Sequence, residues 1–171
     1  QLELGNALCH QYSDEPRGSE FNRGLKLLET VAQPTGKHET DLECEDSIRK
    51  ATAMAWLGQA LAKVEGQRPE ARSWLARAVQ LAPENPYHFT AFVELDLLTS
   101  TTTDHLALLT PALRQAAGRC GELARAGIEV TRAWLTLCRI RLLLGDSTGA
   151  LEALCIAARH TENAAPLADF Q

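Results

Sequence analysis

The chain has 171 residues, 45% of them hydrophobic and 23% charged, which suffices for one core of ordinary size. Its net charge of −5 argues against a surface built for nucleic-acid phosphates, and no apolar run approaches the 18 or so residues of a membrane span. Leu and Ala dominate the apolar set while aromatics are only 5%, a bias that favours close-packed helices over a β-sandwich.

Pro and Gly divide the chain into segments of helical length. Leu4-Gly5-Asn6-Ala7-Leu8 reads as the middle of a first helix, and a loop around Pro16 and Gly18 leads to a second. That second helix carries a stripe of Leu25, Leu28, Val31 and Ala32. After Pro34 and Gly36, an acidic cluster (Glu39, Asp41, Glu43, Glu45, Asp46) reads as a solvated loop and helix start. Its negative charge suits the helix dipole there. Thr40 or Asp41 is expected to open the helix that holds Met54, Trp56, Leu57, Leu61 and Val64. Gly66 and Pro69 turn the chain into a helix with Leu75, Ala78, Val79 and Ala82 on one stripe, closed by Pro83 and Pro86. Tyr87 to Leu98 and Asp104 to Ala126 form two further helices on either side of the Ser100–Thr103 run. Gly127 then precedes a helix with Trp134, Leu137 and Cys138. Gly145 turns that helix, and Asp146 caps the last one, which carries Ala150, Leu154 and Ala157. Short connections between helices of this length predict antiparallel neighbours, and hence four hairpins at about 1–34, 41–84, 87–126 and 129–163.

Two of these hairpins repeat one another. Counted from the turn glycines Gly66 and Gly145, each has Ala at +5 (Ala71, Ala150), Leu at +9 (Leu75, Leu154) and Ala at +12 (Ala78, Ala157). The small residues, with Gly58, allow helix backbones to approach, and the large ones fill the space between layers. With Trp56-Leu57-Gly58 in the first helix and Pro83 at the end, the pattern resembles the tetratricopeptide repeat. The second block departs from it in having Arg141 where a large apolar residue is usual, and in lacking the closing Pro. The first needs one extra residue near Glu65.

The resemblance implies an all-α fold, a right-handed superhelical stack of antiparallel hairpins with about eight helices (a TPR-like α-solenoid) over 1–171. It also implies that the first helix of each hairpin lines a concave face. On that face the positions flanking the Leu-Gly pair are Asn6, His10, Gln59, Lys63, Arg132 and Arg139. This set is polar to basic in an acidic chain and suited to an extended peptide and its carboxylates. The function implied is a non-catalytic interaction module, a scaffold or adaptor, that binds a protein or peptide partner or another domain of its parent protein. The alternative is a regulatory, sensing or autoinhibitory domain of a larger bacterial regulator or protease. Neither reading calls for a nucleic acid or a membrane.

Signals of catalysis and metal binding are lacking in the sequence. It has no P-loop, GxGxxG, GxSxG or HExxH. Cys9 and His10 are adjacent on a helix and point in different directions, so they make a poor chelate. The reading is therefore that the chain is no enzyme and takes no cofactor. The five cysteines (Cys9, Cys44, Cys120, Cys138, Cys155) form no CxxC pair. Most read as small buried residues of a reducing compartment, with the cytoplasm as the expected location. Trp56, Trp74 and Trp134 are expected to pack in or between hairpins. The start at Gln1, without Met or a basic-then-apolar leader, suggests a piece of a longer protein.

Overall fold

The computed structural model describes residues 1–16, 18–33, 44–99 and 104–160. Among them are eight helices and no strand: α1 (Leu2–Gln11), α2 (Ser19–Ala32), α3 (Cys44–Ala62), α4 (Arg68–Leu81), α5 (Pro86–Thr99), α6 (Asp104–Arg125), α7 (Val130–Leu143) and α8 (Ser147–Arg159). The expected openers of α3, Thr40 and Asp41, lie outside the described residues, as do Glu39 and Glu43. Glu45 and Asp46 occupy the first turn of α3 and are exposed.

The chain forms two compact units, residues 1–101 with α1 to α5 and residues 102–171 with α6 to α8. The third expected hairpin, 87–126, therefore has its first helix in one unit and its second in the other. Packing runs mainly between consecutive helices. In the first unit there is more: α3 packs on both α1 and α2, and α5 packs on both α3 and α4. In that unit α3 and α5 thus each seat on both members of the hairpin before them.

Two crossings in the first unit have the same construction. A Cβ placed on Gly5 would lie 3.0 Å from Leu28 Cγ and 3.1 Å from the Gly24 carbonyl oxygen. A Cβ on Gly58 would lie 2.7 Å from Leu75 Cγ and 2.9 Å from the Ala71 carbonyl oxygen. In both hairpins a glycine of the first helix meets the backbone of a small residue on the second, and the leucine four residues further on covers it. Gly24 is itself hemmed in, because a Cβ there would stand 2.7 Å from Cys9 Sγ. Helices can approach this closely only where side chains are missing. Around the two crossings Phe21, Leu28, Met54, Leu57 and Leu75 are fully buried and supply the bulk of this unit's core, with Trp56 and Trp74 half-buried against it.

The second unit carries the same register on α7 and α8. Cys138, Ala150 and Ala157 are buried, while Leu154 is half-buried. Its turn is closed by the hydrogen bonds of a Schellman motif: Gly145 N–H donates to the Leu142 carbonyl (3.0 Å) and Asp146 N–H to the Arg141 carbonyl (2.8 Å), with Gly145 at φ 76°. That motif commonly brings apolar side chains together at the two positions held here by Arg141 and Asp146. In this chain a charged pair takes their place, with Arg141 Nε 3.9 Å from Asp146 Oδ2. Arg141 Nη1 also donates to the Gly149 carbonyl at 2.5 Å, and Asp146 accepts from Gly149 N–H at 2.9 Å as the cap of α8. The arginine that breaks the sequence pattern is thus a residue that ties α7 to α8.

The extra residue expected near Glu65 is taken up in a turn. Helix α3 stops at Ala62, and residues 63–67 reach α4 through short-range bonds such as Val64 N–H to the Leu61 carbonyl (3.0 Å). Residues 144–146 suffice after α7.

Candidate functional site

Counting from the crossing glycines places the polar residues of α1 and α3 in register. Asn6 and Gln59 each follow a glycine by one position, and His10 and Lys63 follow it by five. Asn6 is half-buried on α1, His10 is exposed in its last turn, and Gln59 is exposed on α3. Lys63 is exposed as well but falls one residue beyond α3, in the turn. Because α1 and α3 pack against each other, Asn6, His10 and Gln59 belong to neighbouring helices of one unit, with Lys63 in the turn just after α3.

Electrostatics links the two ends. Burial pushes the Cys9 thiol up to about 11, and the ammonium of Lys63 opposes that shift. The charge of Lys63 is therefore felt on α1, one residue before His10. A shallow depression of about 390 Å³ opens here between the α1–α2 connection and the α3–α4 turn. Glu15, Pro16, Gly18, Lys63, Val64 and Glu65 line it. Its lining carries both signs of charge, Lys63 with Glu15 and Glu65.

Arg132 and Arg139 belong to the second unit, both on α7. Arg132 donates to Glu129 Oε1 at 3.0 Å, three residues back at the start of the helix. Glu129 holds the left-handed conformation there, with φ 45°. Arg139 is exposed, next to buried Cys138. Burial raises the thiol of Cys138, and the positive charges of Arg139 and Arg141 act against that shift. The six predicted residues are thus four in the first unit and two in the second.

The cysteines divide by burial. Cys9, Cys120 and Cys138 are buried free thiols, with Cys120 pushed up to about 12 by desolvation. Cys155 is exposed on α8, and the side chain of Cys44 lies outside the described residues. A raised thiol is a poor nucleophile at neutral pH, so the buried three serve as core residues. Among the described residues, no three of His, Cys, Asp and Glu come together in a way that could hold a metal ion.

Reading the sequence for candidate sites missed the ionic tie between α4 and α5. Asp96 is fully buried on α5, and Arg72 Nε on α4 donates to its Oδ1 at 2.5 Å. The Arg72 guanidinium also lies 5.5 Å from the Phe92 ring centroid. An aspartate flanked by Leu95, Leu97 and Leu98 was the available signal, because a carboxylate buried among leucines must find a partner.

Compared with known protein families, curated proteins and solved structures, the chain matches none.

Proposed function

We propose that this chain is a non-catalytic interaction module of the tetratricopeptide type that binds an extended segment of a partner protein, or of its own parent protein, along its odd-numbered helices. One observation carries the reading. The Gly5 and Gly58 crossings are built alike, α1 and α3 are neighbours, and Asn6, His10, Gln59 and Lys63 occupy matching positions beside them. In this reading the first helices of the hairpins form the receiving side of each unit, α1 and α3 in the first and α7, with Arg132 and Arg139, in the second. The amides of Asn6 and Gln59 supply both donors and acceptors for a peptide backbone, and Lys63 and Arg139 supply charge for carboxylates.

Selection of peptides from a random displayed library on the whole chain, followed by fluorescence anisotropy, tests the proposal. Charge-assisted hydrogen bonds contribute roughly 1.5–3 kcal/mol, so Lys63→Ala and Arg139→Ala should each weaken binding about tenfold or more. Thermal midpoints should stay close to that of the unaltered chain, since both side chains are exposed. Arg68→Ala, on the exposed start of α4, should bind normally. Selected peptides that bind all three variants equally well would remove the assignment.

A further inference from the structure

We draw no further inference here: the strongest candidate, the exposed stripe of Leu151 and Cys155 along α8 in the second unit, is an apolar helix face with nothing in the structure to show what covers it.

Discussion

Gly58→Ala tests the repeated crossing most sharply, because two effects of known size oppose each other there. In an open helix, replacing glycine by alanine gains about 1 kcal/mol from backbone entropy and helix propensity. At Gly58 the new methyl would stand 2.7 Å from Leu75 Cγ and 2.9 Å from the Ala71 carbonyl oxygen, well inside the 3.5–4.0 Å optimum for carbon contacts. Leu75 is fully buried and has little room to turn aside, and the carbonyl belongs to the backbone of α4. Relief therefore requires α3 and α4 to move apart, the kind of overpacking that costs about 1–3 kcal/mol. The net expectation, a cost of about 1–3 kcal/mol less a gain of about 1 kcal/mol, is a loss of up to about 2 kcal/mol, read from the midpoint of guanidinium denaturation followed by circular dichroism. Gly118→Ala is the control. A Cβ there meets no heavy atom within 4 Å, and the variant should gain up to about 1 kcal/mol. If Gly58→Ala gains stability as an open-helix glycine would, or if Gly118→Ala loses as much as Gly58→Ala, the crossing is looser than described and the register built on it fails.

Other expectations follow from the same contacts. Ala71→Leu pushes a side chain into the α3–α4 crossing and should cost about 1–3 kcal/mol in the same denaturation assay. Arg141→Met removes the bond to the Gly149 carbonyl and should cost about 1–2 kcal/mol, whereas an unchanged midpoint would mean that the charged pair adds nothing to the turn. Asp96→Ala breaks the tie to Arg72, and since Arg72 is half-exposed and can turn to water, the loss should be about 1–3 kcal/mol. Alkylation at pH 8 followed by peptide mass spectrometry should label Cys155 well before Cys9, Cys120 and Cys138, and equal rates would contradict the burial of those three. The raised thiols also set a pH trend. The folded state holds its thiol protons longer than the unfolded chain, whose thiols titrate near 9. Stability should therefore fall as pH rises from about 9 through about 11 and 12, and Cys120→Ala should lessen that slope.

Much of the helical order could be read from Pro, Gly and apolar spacing, because those signals act locally. Gly66, Gly127 and Gly145 mark turns, and all three have positive φ. Asp146 does cap α8. Asn85 was passed over, although its side chain accepts from Tyr87 N–H (3.0 Å) and His88 N–H (3.3 Å), and Pro86 then begins α5. An Asn-Pro pair is a legible start signal, since Asn caps and Pro fits the first helical position. The α5 helix itself hides its register. It buries residues all round, from Tyr87 and His88 to Leu95 and Asp96, so no single stripe reveals which face meets α4. Arg141 was legible as a departure but not as a bond, because its partner is a backbone carbonyl eight residues away. The candidate site was readable only as positions relative to a glycine. Which of those positions face outward depends on how neighbouring helices pack, and it emerges only once α3 is seen to lie on α1.

The proposed function has the first helices of the hairpins receive a partner segment. Its most direct measurement is an amide chemical-shift map of the isotope-labelled chain, titrated with a library-selected peptide. The largest shifts should cluster on α1, α3 and the turn after α3, at Asn6, His10, Gln59 and Lys63, while exposed residues of α4 such as Arg68 and Ser73 stay still. Shifts centred on α2 or α4, with α1 and α3 unmoved, would contradict it.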